Sequence, residues 1–397
     1  PAAPLTTNNT KRGGAGGSGV NGGNGAGGIG VLLFNGTLIN TGSIYGASIS
    51  ESPAIFGAAG NGVQLGSGTV INTGQIFGGN GGSASGTGVA ILNGGTLINN
   101  GTITGGTLDG FGTQVAVTFG SGTNTLELWS SSIINGSVIA TTGGTDTLAV
   151  GGAANGTFDV SQIGQQYQGF GIFEKTGAST WTLTGNGAYT INTIVSAGTL
   201  NVAGSLGQTE VTVAGGATLT NSGSGSIAGP VTVQGGGTLS GVAGTTFSMG
   251  ALTLQAGAIT DVLINGSGFV PFNVGGNLTV AGTLNIASTG GYGPGVYHVI
   301  EYGGTFTNNG LVIGSQPAGF TAVLNTATAQ QLNITVYDGP TSTQFWQGGA
   351  TPVGGSGIWS SNNPVWLNAD SSQSTFWGGV QGIFHGTPGT VTIDGTQ

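Results

Sequence analysis

Apolar and polar side chains alternate in short runs between glycines along most of the chain. The clearest run, GTLINTGSIYG at 36–46, returns as GTVINTGQIFG at 68–78 and as GTLINNGTITG at 95–105. Alternation with a period of two residues is typical of a β-strand with one buried face. Glycine and asparagine tolerate the positive φ that tight corners need. Each copy therefore predicts a strand, a corner and a second strand.

Residues in equivalent positions of the three copies are predicted to stack on one another. Two apolar sets and one polar set recur at the same position of each copy: Leu38, Val70 and Leu97; Ile44, Ile76 and Ile103; and, at the corner, Asn40, Asn72 and Asn99. The apolar sets should form inward-facing columns. Stacked asparagine amides can hydrogen-bond to one another along such a column.

A second repeat is more regular than the first. VTVAGGATL at 211–219 returns as VTVQGGGTL at 231–239, 20 residues later, and in looser form as ALTLQAGAI at 251–259. Parallel strands in neighbouring coils lie about 4.8 Å apart, and a coil built from two or three short strands needs this kind of period. The predicted fold is all-β, a right-handed parallel β-helix (β-solenoid) with Gly/Asn-rich loops.

Composition favours the same fold class and excludes several others. The chain has 397 residues with 88 glycines, but glycine does not recur at every third position as collagen requires. Charged residues make up 4% of the chain, and helix-forming charged residues are too few for amphipathic surface helices. The net charge is −9, and Lys11 and Arg12 form the one basic pair. Binding to nucleic acid is therefore excluded, because too few phosphates could be neutralised.

The patterns divide the chain into four sections. Residues 1–29 form a Gly-rich N-terminal segment, whose order the sequence leaves open. Residues 30–140 form the first repeat block of the β-helix, and residues 141–340 its second region. Residues 341–397 form a Trp/Gly-rich C-terminal β section.

Residues that could carry catalysis or bind a metal are few and scattered. The two histidines, His298 and His385, have no adjacent acidic residue, and cysteine is absent. Seven aspartates stand in different turn contexts: Asp109, Asp146, Asp159, Asp261, Asp338, Asp370 and Asp394. GGTDTLAV at 143–150 resembles a calcium-binding nonapeptide but occurs once. The sequence therefore predicts no enzyme, no cofactor and no metal site.

Four of the six tryptophans lie near the C-terminus, at Trp346, Trp359, Trp366 and Trp377. Exposed aromatic rings on a β-surface can stack on sugar rings, so these residues are candidates for a glycan-binding face. The alternative is that the tryptophans cover or plug a coil.

One segment, KTGASTWTLTGNGAYTINTIVSAGTLNVAGSL at 175–206, resembles the passenger-associated repeat of bacterial autotransporters. The matching positions are Glu174-Lys175, Trp181, Leu183, Gly185, Tyr189, Val195, Gly198, Thr199, Leu200 and Val202. Ile191-Asn192 departs from the pattern, which usually has glycines after the tyrosine. The resemblance implies a passenger domain that crosses the outer membrane through a C-terminal β-barrel. The chain should contact a membrane only through such a barrel, whose pattern we do not find in residues 1–397.

The resemblance implies a non-enzymatic protein at the bacterial cell surface or outside the cell, acting as an adhesin or a rigid display stalk. Its expected partners are host-cell, matrix or glycan surfaces, or neighbouring bacterial cells. One alternative is an extracellular structural protein that self-associates end to end into filaments of a biofilm matrix. A further alternative is a β-helical polysaccharide-degrading enzyme.

Overall fold

Short β-strands separated by turns make up most of the described chain. The computed structural model describes residues 3–14, 26–49, 58–81, 84–108, 112–141, 145–266, 269–338, 343–348, 354–368, 374–378, 381–384 and 387–395. Within these residues the one helical element is a single 3₁₀ turn, Val160–Gln162. The chain divides into an N-terminal unit, Pro1–Leu200, and a C-terminal unit, Asn201–Gln397.

The N-terminal unit contains strands of two to fourteen residues. They are β1 (Leu5–Thr7), β2 (Lys11–Arg12), β3 (Val31–Leu33), β4 (Thr37–Asn40), β5 (Ser43–Tyr45), β6 (Val63–Leu65), β7 (Gly68–Asn72), β8 (Gln75–Phe77), β9 (Val89–Asn99), β10 (Thr102–Thr104), β11 (Thr107–Leu108), β12 (Gly112–Thr113), β13 (Val115–Leu128), β14 (Ile133–Asn135), β15 (Ser137–Ala140), β16 (Thr147–Val150), β17 (Gly156–Asp159), β18 (Tyr167–Gln168), β19 (Ile172–Lys175), β20 (Thr180–Thr184), β21 (Asn192–Val195) and, at the boundary, β22 (Thr199–Val202).

Strands of successive coils in this unit pair in parallel; β11 and β12 form an antiparallel pair, and β13 has a register shift in its pairs with β9 and β15. Leu38 of β4 lies opposite Val70 of β7, which lies opposite Leu97 of β9. Ile44, Ile76 and Ile103 align in the same way through β5, β8 and β10. All six side chains are fully buried. The predicted apolar columns are therefore confirmed, and with them the parallel β-solenoid; its right-handed sense stays a prediction.

The three corner asparagines form a continuous column of hydrogen bonds. Asn40 Nδ2 donates to Asn72 Oδ1, and Asn72 Nδ2 donates to Asn99 Oδ1, both at 2.8 Å. Thr7 Oγ1 donates to Asn40 Oδ1 at one end, and Asn99 Nδ2 donates to Ser132 Oγ at the other. The three asparagines have no exposed surface. Because each amide is paired on both sides, the buried polar groups stabilise the register instead of weakening the core.

Close stacking of coils explains part of the glycine content. Gly68 has a φ of 121°, and a Cβ atom placed there would lie 2.1 Å from the carbonyl oxygen of Gly36 in the neighbouring coil. A side chain at this position would require both a strained backbone and a wider separation between the coils.

The C-terminal unit continues with strands of the same kind. They are β23 (Ser205–Leu206), β24 (Val211–Val213), β25 (Thr218–Asn221), β26 (Ser226–Val233), β27 (Thr238–Gly241), β28 (Phe247–Leu254), β29 (Ile259–Asn265), β30 (Phe272–Val274), β31 (Leu278–Gly290), β32 (Gly295–Tyr302), β33 (Phe306–Ile313), β34 (Phe320–Asn325), β35 (Gln331–Asp338), β36 (Thr343–Trp346), β37 (Gly357–Trp359), β38 (Trp366–Asn368), β39 (Ser374–Thr375), β40 (Gln381–Ile383) and β41 (Val391–Ile393).

The 20-residue repeat sets the register of this unit. Val211 of β24 pairs with Val231 of β26, and Leu219 of β25 pairs with Leu239 of β27, in parallel. The pattern changes at β35, which pairs antiparallel with both β32 and β34. Strands β36, β38, β39 and β40 then form a separate mixed sheet, and β37 pairs with β41.

Candidate functional site

The predicted glycan-stacking tryptophans cluster together, but the cluster is largely internal. Trp346 and Trp366 are 1% and 0% exposed. Their rings meet edge to face, with centroids 5.4 Å apart, and the Trp346 indole N–H donates to the carbonyl of Gly355. A sugar ring has no free aromatic face to stack on at these two positions. The stacking role expected for Trp346 and Trp366 is therefore corrected to a packing role.

Trp359 and Trp377 are partly exposed at the edge of the same cluster. Their ring centroids lie 5.1 Å apart, and Trp377 lies 4.4 Å from Trp366. Phe384, 52% exposed, packs on Trp366 from outside, with ring centroids 5.3 Å apart. A glycan-stacking role stays a proposal for Trp359 and Trp377 alone.

The described acidic residues do not assemble into a metal-binding group. Among the described residues, no group of three or more His, Asp and Glu side chains lies close enough to hold a metal ion. Asp146, from the calcium-like stretch, is buried and accepts hydrogen bonds from the backbone N–H and the side-chain amide of Asn124. Asp109, Asp370 and His385 lie outside the described residues. His298 is half-buried on β32, where it alternates with the buried Tyr297 and Val299.

Lys175, from the segment that resembles a passenger repeat, is fully buried. Its ammonium donates to the carbonyls of Thr176, Gly177 and Ala197, at 2.5, 2.9 and 3.1 Å. Desolvation lowers the pKa of Lys175 to about 8, although the negative charge of Glu127 acts in the opposite direction. By donating to carbonyls of residues 176, 177 and 197, this lysine ties two turns of neighbouring coils together.

A cavity of about 680 Å³ lies beside the 3₁₀ turn of the N-terminal unit. Tyr167 and Tyr189 contribute to its wall, and burial raises the pKa of both phenols to about 12. Both hydroxyls are therefore neutral at physiological pH. Among its other lining residues are Ser161, Gln162 and Asn186, and the lining contains no histidine or carboxylate.

A stack of three side chains on the outer face of the first coils forms the strongest candidate site. Arg12, Tyr45 and Phe77 lie in register on β2, β5 and β8. The Arg12 guanidinium lies over the Tyr45 ring, 4.4 Å from its centroid. On the other side, Tyr45 stacks on Phe77 with a centroid distance of 4.8 Å and an interplanar angle of 9°. Arg12 is exposed and both rings are partly exposed.

A groove of about 400 Å³ runs beside this stack. Its remaining wall consists of small or polar residues of the adjoining turns: Gly13, Gly46, Ala47, Ser48, Gly78 and Asn80. Ser48 Oγ accepts from the backbone N–H of Asn80, which leaves its own proton available. Asn80 Oδ1 accepts from the backbone of Thr107, which leaves its amide hydrogens available. The groove therefore combines a cation, aromatic surface and hydrogen-bond donors, a mixture suited to a small polar ligand.

The sequence contains a signal for this stack. SIYG and QIFG place an aromatic residue directly after the inward-facing isoleucine of two successive copies. Since neighbouring strand residues point to opposite faces, Tyr45 and Phe77 had to point outward. Parallel register then had to place one ring on the other.

Comparison with known proteins gives one informative similarity. No family model matches the chain, and no solved structure matches it. A stretch of 169 residues is 38% identical to the Adhesin BmaC autotransporter of Brucella suis biovar 1 (strain 1330), and it covers 38% of this chain and 5% of that protein. The chain thus spans a small fraction of the length of the curated relative that it matches. This similarity supports the resemblance to an autotransporter passenger, whereas the passenger-associated repeat at 175–206 stays a prediction.

Within the described part of the chain, no helix has the length and apolar character needed to cross a membrane.

Proposed function

We propose that the chain is a non-enzymatic passenger segment of a bacterial surface protein, and that it acts as an adhesin or as a rigid display stalk. The observation that carries the proposal is the 38% identity to an autotransporter adhesin over 169 residues. The parallel coils support it, because a ladder of short strands holds many turns and outward side chains in fixed positions on one scaffold. Its location is then the cell surface or the extracellular medium.

The non-enzymatic part of the proposal draws on the chemistry of the described side chains. Lys175 is engaged with three carbonyls, and Asp146 is engaged with Asn124. The 680 Å³ cavity has neutral phenols instead of carboxylates in its wall. Polysaccharide cleavage by paired carboxylates needs two acids flanking the bond to be broken.

The proposal is tested by coating fluorescent beads with the 397-residue chain and adding them to cultured epithelial cells and to matrix-coated wells. Beads coated with an unrelated acidic β-solenoid of similar size serve as the control. We expect retention several-fold above that control on at least one surface. Retention equal to the control on every surface contradicts an adhesin.

Two further measurements on the same preparation address the alternatives. If the chain releases reducing ends from any of a panel of polysaccharides, it cleaves them, and this contradicts a non-enzymatic role. An apparent molecular mass from light scattering that rises with protein concentration, together with fibres seen by electron microscopy, favours the filament alternative. In the C-terminal unit the parallel ladder through β30 and β32 ends at the antiparallel strand β35, so a parallel copy cannot add to β32 there.

A further inference from the structure

The stack and groove of Arg12, Tyr45 and Phe77 carry an inference that deepens the proposed function and rests on it. We propose that this groove binds a saccharide bearing a carboxylate, such as a hexuronate unit of an acidic glycan. Charge, ring geometry and hydrogen-bonding capacity each contribute one part of the assignment.

The distribution of charge singles out this part of the chain for an anionic ligand. Residues 1–108 contain Lys11 and Arg12 but only one acidic residue, Glu51, whereas the other 11 of the 12 carboxylates lie at Asp109 or beyond. Lys175, the third basic residue, is buried. The two exposed basic side chains among the described residues, Lys11 and Arg12, therefore both lie on β2. At physiological salt, exposed charges more than about 8 Å apart are largely screened from each other. An ion in the groove therefore interacts mainly with the charges nearest to it, and Arg12 lines the groove.

The position of Arg12 suits a carboxylate. Lys11 aligns with the inward-facing Ile44, whereas Arg12 aligns with the outward-facing Tyr45. Arg12 therefore presents its guanidinium on the face that contains the groove. The guanidinium carbon of Arg12 lies over the Tyr45 ring, and N–H groups of the exposed guanidinium can donate to a ligand. A planar fork of donors matches the two oxygens of a carboxylate.

The rings and the polar wall suit the rest of a sugar. The stack continues in register from Phe77 to Thr104 and Asn135, whose side chains are smaller than a ring. Phe77 is partly exposed, and its neighbour in register on the side away from Tyr45 is the smaller Thr104, so C–H groups of a sugar can pack on aromatic carbon there. The Ser48 hydroxyl and the Asn80 amide, both exposed, supply donors for sugar oxygens. The groove volume of about 400 Å³ is within the range of small-molecule sites.

The test measures binding of three probes to the full chain by isothermal titration calorimetry: a hexamer of galacturonic acid, a neutral galactose hexamer and a glutamate hexapeptide. We expect the acidic hexamer to bind with a Kd of about 1 mM or tighter, and to bind less tightly as salt is raised. The neutral hexamer and the peptide should each bind at least about tenfold more weakly, because each lacks one half of the recognised chemistry.

Variants locate the site. Arg12→Gln should weaken binding of the acidic hexamer about tenfold or more. Arg12→Lys should weaken it less, because lysine keeps the positive charge but lacks the planar set of N–H donors. Phe77→Ala should weaken binding about two- to tenfold. Phe34→Ala is the matched control: Phe34 is 81% exposed, lies in the same unit and does not line the groove. Circular dichroism confirms that each variant is folded before titration.

Every other result overturns part or all of the assignment. No binding of the acidic hexamer, or unchanged binding by Arg12→Gln and Phe77→Ala, contradicts a site in this groove. Equally tight binding of the neutral hexamer shows that the carboxylate is not recognised. Equally tight binding of the peptide shows that the saccharide is not recognised. Bead adhesion that survives Arg12→Gln, with no hexamer binding, overturns this inference and leaves the adhesin proposal standing. Hexamer binding that depends on Arg12, without any bead adhesion, supports this inference and overturns the adhesin proposal.

Discussion

In the coils that contain Tyr45 and Phe77, aromatic rings lie outside a core of aliphatic side chains, whereas among the described residues of the C-terminal section, from 343 onward, the rings form the core. Ile44 and Ile76 are fully buried next to the partly exposed Tyr45 and Phe77. In the C-terminal section, Trp346 and Trp366 are themselves buried, with Trp359, Trp377 and Val391 packed around them. The difference shows that position in a repeat decides whether an aromatic side chain meets solvent. Local enrichment in tryptophan does not.

The largest expected effect separates a core ring from its outer neighbour. Trp366→Ala should destabilise the C-terminal section by about 3–5 kcal/mol, because it removes a buried indole and leaves a cavity. The control Phe384→Ala removes a ring that is 52% exposed and should cost less than about half as much. Urea unfolding followed by tryptophan fluorescence measures both, since four of the six tryptophans report on this section. Equal losses in the two variants contradict the assignment of Trp366 to the core.

The second prediction concerns the polar part of the coil core. Asn72→Ala should destabilise the N-terminal unit by about 1–3 kcal/mol, because it leaves Asn99 Oδ1 without the amide donor that it accepts from. Asn35→Ala, at an exposed position of the same coils, should change stability by about 0.5 kcal/mol or less. Chemical denaturation followed by circular dichroism distinguishes the two. A loss below about 0.5 kcal/mol for Asn72→Ala would show that the amide column adds nothing to the aliphatic core.

The third prediction uses pH to find a buried charge in the coil core. Because the pKa of Lys175 falls from 10.5 to about 8 on folding, the unfolded chain binds more protons between these two values. The free energy of unfolding should therefore rise with pH from about 8 to 10, by about 1–2 kcal/mol. Above pH 10 it should fall again, since the raised pKa values of Tyr167, Tyr189 and Tyr292 make the folded chain bind more protons there.

Lys175→Met is the matched variant for this profile. Methionine keeps a long side chain but has no proton to lose, so the rise between pH 8 and 10 should disappear while the fall above pH 10 remains. Urea midpoints measured at pH 7, 8, 9, 10 and 11 give both limbs. An unchanged rising limb in the variant would assign the pH dependence to another group.

The smallest expected effect lies on the outer face of the coils. Phe77→Ala should cost about 0.2–1 kcal/mol, in the range of a cross-strand pair on a half-exposed face. Ile76→Ala, one residue away but fully buried, should cost about 2–5 kcal/mol. Thermal unfolding of the two variants side by side gives the contrast directly. If Phe77→Ala were as costly as Ile76→Ala, the outer rings would belong to the core after all.

The sequence predicts the coils well because each copy repeats the same constraint. Leu38, Val70 and Leu97 stand in equivalent positions, and parallel pairing without slippage is the arrangement that buries all three together. The stacked amides of Asn40, Asn72 and Asn99 follow from the same register. Repetition thus converts a weak local signal into a strong one, and the fold class could be predicted from it.

The candidate site was predicted less well, because side-chain exposure in the C-terminal section depends on long-range packing. Trp346 meets Trp366 across an antiparallel pair of strands, β36 and β38, that lie some twenty residues apart in the sequence without a repeat to mark them. Burial of these rings could not be predicted from tryptophan spacing. The Arg12 stack was predictable in principle, but residues 8–12 do not resemble the later copies, and the register of β2 on β5 becomes visible only in the structure.

The asparagine column has a direction: every amide donates to the coil that follows it and accepts from the coil that precedes it. A coil removed between two asparagines would leave an amide hydrogen on one side of the gap and an amide oxygen on the other, and these two can bond to each other. A duplicated coil would carry its own asparagine, whose amide could accept from the coil before it and donate to the coil after it. In-frame gene duplication or deletion of one coil would therefore preserve the buried polar network, and proteins of this type could change length by recombination without passing through an unpaired intermediate.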